Sequence, residues 1–315
     1  MTRSDLLTKL ARRTNKNTTL DAATQNRLID FLDERQLRLL SMPGAAHLRD
    51  ITLTFSSVQS QADYTFPNIS KIKRITDTTN DRVLYEMTES DMRFADPQQQ
   101  EGTPEAFVWR GRRAVAKQPS DASSLFVDST SASDTGTAYV EGVITGGYPR
   151  SASVSMTGTT AVNISSAISS WIRVDKFYIS AAAVGTVTLH EDSDGGTELA
   201  RITIGQTSTD YFGISLWKTP SESSIEYLVD AVRHAPKLAQ STDVPLLPED
   251  FHDLLLLGAL MDEYQHMNDP RYEVAAAEYR QRERQFKYWL AETASGQMGP
   301  FEKPSRLGAW TASGV

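Results

Sequence analysis

The 315-residue sequence contains no cysteine, which excludes disulfide bonds, zinc sites with thiolate ligands and thiol nucleophiles. It also lacks a long apolar run: the nearest candidate, Leu254 to Met261, is far shorter than the roughly 18 residues that a membrane-spanning helix needs. The first residues, MTRSDLLTKLARR, contain no apolar core of signal-peptide length. These absences predict a soluble protein that is made in the cytosol and has no membrane partner.

Basic residues are in the minority, with 32 Lys and Arg against 40 Asp and Glu and a net charge of -8. This balance argues against sequence-independent DNA binding by a basic surface. Most of the excess of acidic residues lies in one segment, because 120–215 contains ten acidic and four basic residues. The middle of the chain is therefore its most acidic part.

The sequence patterns of common catalytic sites are also missing. There is no GxxxxGK[ST] loop, no GxGxxG after a strand and no GxSxG motif. The segment EDSDGGTE, with Asp192, Asp194 and Glu198, is only weakly similar to a calcium loop, and a polar hairpin turn explains it better. The five histidines have no metal-ligand spacing: His47, His190, His234, His252 and His266. We therefore predict no catalytic residue, no metal, no cofactor and no enzymatic activity.

The segment from Leu246 to Thr293 predicts two consecutive helices. Each begins with a proline beside acidic residues, which suits the positive amino-terminal end of a helix. The two starts are Pro248 to Asp250 and Asp269 to Pro270. In the second helix aromatic residues recur every seven positions, at Tyr272, Tyr279 and Phe286. These patterns predict an antiparallel helical hairpin with one apolar seam.

The second predicted helix also contains a basic cluster, which consists of Arg280, Arg282, Arg284 and Lys287. A phosphate backbone could bind such a cluster. A solvated helix face with ion pairs to Glu278 and Glu283 is the simpler interpretation. Arg110, Arg112 and Arg113 form a second cluster beside Trp109, to which the same interpretation applies.

Residues 295–315 form the last distinct segment. They cannot form a core of their own, but they contain large side chains among glycines and prolines: Phe301, Arg306, Leu307 and Trp310. Aromatic residues on such a peptide are common anchors for docking on a partner. Docking and disorder are both compatible with the sequence.

The rest of the chain predicts helices followed by strands. Apolar residues at helical spacing mark a short helix near Leu6 to Leu10 and a longer one from Asp21 to Ser41. From Ile51 the apolar period changes to two, which predicts a modest sheet. The stretch from Asp91 to Gln100 resembles a surface loop. Short β-type runs between 116 and 210 are separated by Gly, Asp and Ser, which predicts a small antiparallel sandwich with a hairpin turn at Asp192 to Gly196.

The predicted fold class is α+β. It has an α-helical bundle body built from both chain ends, a small sheet and an inserted antiparallel β-sandwich. Residues 1–115 are the first part of the helical body, with short strands, and 116–210 are the inserted module. Residues 211–294 are the second part of the body, and 295–315 are an extended tail.

Two segments together resemble the head-to-tail adaptor, or connector, proteins of tailed bacteriophages, including the tail tubular A type. They are DVPLLPEDFHDLLLLGALMDEY, which precedes a second proline-initiated helix, and LWKTPSESSIEYLVDAVRHAPKLA upstream. In that family a helix that starts with proline, two acids, an aromatic residue and histidine follows a strand whose lead-in is similar to Trp217 to Pro220. The likeness covers 216 to about 290 best and 21–109 loosely. The β module departs from the smallest members and looks like the immunoglobulin-like insertions of larger virion proteins.

The resemblance implies a structural protein of the virion neck, at the portal-tail junction, made in the host cytoplasm. It implies a ring, of twelve subunits, between the portal protein and a tail protein such as a nozzle, a stopper or a tail tube. Genomic DNA would pass through the lumen during ejection without specific binding. The helices, with the basic cluster, would form ring or channel contacts, the tail around Phe301 to Trp310 would dock on the portal, and the sandwich would project outward.

Two other functions stay open. A capsid decoration or host-surface protein would bind carbohydrate through the β module, and exposure of Tyr139, Tyr148 and Trp171 would favour it. A glycan hydrolase would need two carboxylates of the sandwich about 5 to 10 Å apart in a deep cleft.

Overall fold

The computed structural model describes residues 1–14, 20–192 and 195–297. These residues contain five α-helices: α1 (Arg3–Arg13), α2 (Ala22–Leu40), α3 (Glu89–Ala95), α4 (His252–His266) and α5 (Tyr272–Gln297). The same residues contain the strands β1 (Asp50–Ser56), β2 (Asp63–Pro67), β3 (Ile69–Asp77), β4 (Arg82–Met87), β5 (Glu101–Gly102), β6 (Ala106–Arg113), β7 (Leu125–Ser129), β8 (Thr137–Ile144), β9 (Tyr148–Ser155), β10 (Val162–Asn163), β11 (Trp171–Ile179), β12 (Val187–Glu191), β13 (Glu198–Ile202), β14 (Tyr211–Trp217), β15 (Thr219–Pro220) and β16 (Glu226–Arg233).

The predicted α-helical bundle body is wrong, because strands hold 34% of the residues and helices 29%. The largest element is a seven-stranded sheet in the order β1-β16-β3-β4-β6-β14-β2. Its strands come from 50–113 and 211–233, which the sequence patterns assign to the helical body. Alternating apolar residues indicate each strand and its buried face but not the strand that pairs with it. The number of strands in the sheet therefore does not follow from the sequence patterns.

The chain divides into two compact units. The helical unit consists of Met1–Leu48 and the chain from Pro236 onward, and the β unit consists of Arg49–Ala235. The β unit begins and ends on neighbouring antiparallel strands, where Asp50 of β1 faces Val232 of β16. The β unit is therefore an insertion between two parts of the helical unit's sequence.

Side chains at the helix starts explain where α1 and α2 begin. The Thr2 hydroxyl accepts a hydrogen bond from the N–H of Asp5, and the Asp5 carboxylate accepts one from the N–H of Thr2. Asp21 caps α2 by accepting from the N–H of Thr24. Such caps satisfy N–H groups that have no partner within the helix. A short 3-10 turn follows Pro248, so α4 begins about one turn later than predicted.

One sheet of the β unit curls into a half-barrel. In the seven-stranded sheet, aromatic side chains of the two edge strands meet: the ring centre of Phe55 on β1 lies 4.8 Å from Tyr64 and 5.3 Å from Phe66 on β2. Tyr227 of β16 stacks on the same Phe55 ring at 5.0 Å. The aromatic side chains on this face of the sheet are therefore in continuous contact, and they link its two edge strands.

A smaller β structure is inserted between β6 and β14, where Arg113 faces Tyr211. It has a four-stranded sheet, β10-β7-β12-β13, and a three-stranded sheet, β11-β8-β9. Both sheets contribute to one core, in which Trp171 and Phe177 are fully buried. β12 and β13 form the predicted hairpin, although residues 193 and 194 of its turn lie outside the described residues.

A buried carboxylate ties the first loop of this sandwich to β12. The side chain of Glu191 accepts hydrogen bonds from the Ser120 N–H (2.7 Å), the Ser120 hydroxyl (2.8 Å) and the Ser123 hydroxyl (2.8 Å). Burial raises the pKa of Glu191, but the hydrogen bonds from Ser123 and Ser120 outweigh it and hold the pKa below its usual 4.5. The charged form of Glu191 is thus the one that stabilises the fold.

We expect Glu191→Gln to destabilise the β unit by about 2 kcal/mol at pH 7, because an amide oxygen is a weaker acceptor than a carboxylate. Since the folded pKa of Glu191 lies below that of the unfolded chain, the advantage of the native residue is complete above about pH 4.5 and is lost as the pH falls through the folded pKa. Calorimetric melting of the wild type and of Glu191→Gln from pH 7 to about pH 3 tests this pH dependence. A difference in melting temperature that stays constant over that range would contradict it.

Candidate functional site

The central helix of the helical unit is α4, which packs against α1, α2 and α5. The side chain of Arg35 on α2 crosses α4 at Gly258, where a Cβ atom would lie only 2.9 Å from Cδ of Arg35. Arg35 binds both carboxylate oxygens of Asp262 on α4. Its guanidinium also lies 5.0 Å from the ring centre of Tyr279 on α5. One side chain thus links three helices, which fixes α2 and α5 on α4.

An aromatic cluster holds the later part of α5. Phe286 is fully buried, with Phe251 edge-on at 5.0 Å and Trp289 stacked at 5.9 Å between ring centres. Arg282 covers the other side of the cluster, 5.1 Å from the ring centre of Phe251. α5 is therefore held along one face by Tyr279 and this cluster.

The opposite face of α5 is exposed. Val274 is 63% and Tyr288 73% exposed, and Ala277, Gln281 and Arg284 lie exposed between them. These five positions recur every three or four residues and form one stripe along the helix, here called the outer stripe of α5. Exposed apolar side chains in such a row are typical of a surface that contacts another protein.

The structure separates the predicted basic cluster into two parts, of which the first is engaged within the helical unit. Arg282 is half-buried and binds Asp253 at 3.0 Å and the carbonyl oxygen of Asp250. It does so in place of the predicted ion pair with Glu278. Lys287 is 3.3 Å from Glu283, in the predicted i,i+4 ion pair.

The second part of the cluster faces outward. Arg280 and Arg284 are exposed, and in the described part of the chain neither guanidinium lies within ion-pair distance of a carboxylate. Two like charges four residues apart destabilise a helix by about 0.2 to 0.5 kcal/mol. Arg280 and Arg284 are thus the members of the cluster that can bind an external group.

The predicted portal-docking residues lie outside the described residues: Phe301, Arg306, Leu307 and Trp310. The description of α5 ends at Gln297. The docking of this segment therefore stays a prediction that rests on the sequence.

Groups with potential for metal or acid-base chemistry bind neighbouring groups of the protein. The contacts are His47 with the Gly44 carbonyl oxygen, His190 with Asp128, His234 with Asp210, and His252 with the Leu247 carbonyl oxygen. Burial lowers the pKa of His252. Among residues 1–14, 20–192 and 195–297, no group of three or more His, Asp or Glu side chains is arranged to hold a metal ion.

No helix in those ranges is both long and apolar enough to span a bilayer.

The second basic cluster, beside Trp109, is paired with acids inside the β unit. The three ion pairs are Arg110 with Glu89, Arg112 with Asp210 and Arg113 with Asp63. Their acidic partners come from α3, from the residue before β14 and from the start of β2. The cluster therefore stabilises the β unit and is not a free basic patch.

The aromatic residues that a carbohydrate-binding role would use are placed very differently. Trp171 is completely buried in the sandwich core. Tyr139 is half-buried and stacks on Tyr178 with ring centres 4.9 Å apart. Tyr148 is 63% exposed. The three do not form a common exposed platform.

No known family model matches this chain, and no curated protein matches it significantly. Its function is therefore inferred from the geometry of its surfaces and from the sequence patterns that form α4 and the lead-in from Trp217 to Pro220.

Proposed function

We propose that this protein is a structural component of a tailed-bacteriophage virion, a head-to-tail adaptor that forms a ring between the portal protein and the tail. The observation that carries the proposal is the outer stripe of α5. At about 1.5 Å per residue, this 26-residue helix offers a straight surface about 39 Å long. It is held on one side and carries exposed Val274 and Tyr288 on the other. Such a surface is suited to side-by-side contact between subunits.

The helical unit is the proposed ring body. The sequence PEDFHDLLLLGALMDEY, which carries much of the family resemblance, forms the turn before α4 and nearly all of α4. Because the other three helices of this unit pack on α4, that segment determines the positions of their outer faces. A ring subunit requires such fixed faces, since an error in their angle changes the number of copies that close the ring.

The remaining parts of the chain have proposed roles in the neck of the virion. The carboxy-terminal segment docks on the portal through Phe301, Leu307 and Trp310, with Arg306 beside them. Genomic DNA passes through the lumen of the ring without specific binding, a role that requires no basic surface. The sandwich projects from the ring, and the tail protein binds below it.

The test is the mass of the purified protein in solution, alone and mixed with the portal protein of the same phage. We expect a closed oligomer, either alone or when the portal is added, because none of residues 1–14, 20–192 and 195–297 covers the outer stripe of α5 and a neighbouring subunit would. Light scattering and native mass spectrometry give the subunit number. A protein that remains monomeric and never joins the portal would contradict the proposal.

A shortened chain that ends at Ser295 serves as the comparison in the same experiment. It lacks the docking residues but keeps the outer stripe of α5. We expect it to lose portal binding while its self-association is unchanged. Normal binding of the shortened chain to the portal would show that the carboxy-terminal segment is not the docking element.

A further inference from the structure

α2 also carries an exposed stripe. Ala23, Asn26, Asp30, Glu34 and Leu37 are exposed and recur every three or four residues. They lie on the side of α2 opposite to its buried residues, such as Leu28 and Leu32. This row is called the outer stripe of α2.

The acidic residues of this stripe have no internal partner of opposite charge. In the described part of the chain, no Lys or Arg side chain lies within ion-pair distance of Asp30 or Glu34. By contrast, Arg27 and Arg35 on the same helix bind Glu263 and Asp262. Two carboxylates four residues apart repel each other, so a free α2 stripe is electrostatically unfavourable.

The outer stripes of α2 and α5 match in charge and in spacing. Asp30 and Glu34 are four residues apart on the outer stripe of α2. On α5 the same spacing separates Arg284, which belongs to the outer stripe, from the exposed Arg280 one turn earlier. Four residues of helix correspond to about 6 Å, so the two carboxylates can face the two guanidinium groups when the helices pack side by side. Each stripe also includes an alanine and a large exposed apolar side chain, Leu37 on α2 and Tyr288 on α5. Each repulsive pair would thereby gain two opposite charges.

The two stripes cannot meet within one chain. The buried faces of both helices pack on α4, and each stripe lies on the opposite side of its own helix. The stripes therefore point away from each other. A contact between one α2 and another chain's α5 leaves a free α5 on the first chain and a free α2 on the second. The contact can therefore repeat from copy to copy, and it closes into a ring when the rotation between copies divides a full turn.

We infer that the outer stripe of α2 on one copy of this chain packs against the outer stripe of α5 on the next copy, with Asp30 and Glu34 facing Arg280 and Arg284. This inference rests on the proposed function, since it identifies the two faces that form the ring contact. The occupant of each stripe is a second copy of the chain. The contact is head to tail, so the same pair of faces recurs around the assembly.

Charge reversal tests the contact. D30R/E34R makes both stripes basic, and R280E/R284E makes both acidic. Each double variant is expected to remain monomeric under conditions in which the wild-type chain assembles, with the portal protein present if wild-type assembly requires it. The measurement is the mass by light scattering. Circular dichroism verifies that each variant has the helix content of the wild type.

An equal mixture of the two double variants is the decisive experiment. Basic α5 of the first then meets acidic α2 of the second, and acidic α5 of the second meets basic α2 of the first. We expect the mixture to recover the wild-type mass, with the two variants alternating, which an even number of subunits permits. K9E/R12E, which reverses two exposed charges of α1, is the matched control and should assemble normally.

The outcomes separate the two proposals. If the wild type assembles and either double variant assembles equally well, the α2-α5 contact is wrong while the adaptor function stands. The contact is also wrong if both folded variants stay monomeric after mixing. A wild-type chain that never assembles, alone or with the portal, overturns the adaptor function and the contact together.

Discussion

Replacing Gly142 with alanine is expected to destabilise the β unit by about 3 kcal/mol and to lower its melting temperature by about 10 °C. A Cβ atom at this position on β8 would lie 2.1 Å from the carbonyl oxygen of Arg173 and 3.1 Å from Cα of Val174. Both atoms belong to the backbone of β11, so no side chain can rotate away. The pairing of β8 with β11 is also irregular on both sides of this point, where the register shifts. Scanning calorimetry of the variant gives the loss directly.

The matched control is Gly136→Ala, just before β8. Its Cβ would lie 2.9 Å from the hydroxyl of Ser180, a side-chain atom that can move. We expect a clearly smaller loss of stability for this variant. Equal losses at Gly136 and Gly142 would mean that contact with the β11 backbone is not the cause.

Arg27→Met is expected to destabilise the helical unit by about 3 kcal/mol. Arg27 donates to both oxygens of the Glu263 carboxylate at 2.9 Å, and the Glu263 side chain is completely buried. Removing the guanidinium leaves a buried negative charge without these two donors. Arg27 is 28% exposed, so water replaces part of the lost contact. The expected loss of stability therefore lies near the lower end of the roughly 3 to 5 kcal/mol that is usual when one partner of a buried ion pair is removed. Urea unfolding followed by far-ultraviolet circular dichroism measures it.

Two further variants identify the cause. Arg38→Met removes an exposed arginine from the same helix and should change the stability by less than about 0.5 kcal/mol. The double variant R27M/E263M removes the carboxylate as well, and its stability relative to R27M measures how much of the loss comes from the Glu263 charge without Arg27. A double variant that is less stable than R27M would argue that Glu263 stabilises the unit through other contacts.

The helices that pack on α4 were largely predictable because each has a cap or a proline start and one apolar stripe. Asp21 and the leucines that follow it predict α2 within one residue of its observed ends. α3 was missed, although Thr88 and Asp91 have the spacing of a helix cap and form that hydrogen bond. Its seven residues are too few to show an apolar period.

The seven-stranded sheet was not predictable in the same way. Its edge strand β1 pairs with β16, and β4 pairs with β6 in parallel. Alternation identifies the buried face of each strand but not the strand beside it. The sequence patterns consequently indicate a modest sheet next to a helical body, in place of the dominant seven-stranded sheet.

The candidate site was only partly visible in the sequence. The four basic residues of α5 were grouped by proximity, but the helix turns Arg282 toward α4 and leaves Arg280 and Arg284 outside. Asp30 and Glu34 do not stand out in the sequence, because the apolar residues on the other side of α2 are what identify the helix. The sequence does contain two acids four residues apart, opposite the leucine stripe. They indicate a contact only once a helix with two basic residues at the same spacing is known.

The pairing of Asp50 with Val232 has a consequence for the order in which the chain folds. Antiparallel neighbours of this kind have Cα atoms about 5 Å apart, although residues 49–235 lie between the two parts of the helical unit. Once β1 and β16 have paired, the entropy of closing that long loop has already been lost, and only residues 41–49 and 233–251 still separate α2 from α4. A substitution that breaks this pairing therefore weakens the helices that carry both outer stripes, although neither stripe includes a residue of the sheet.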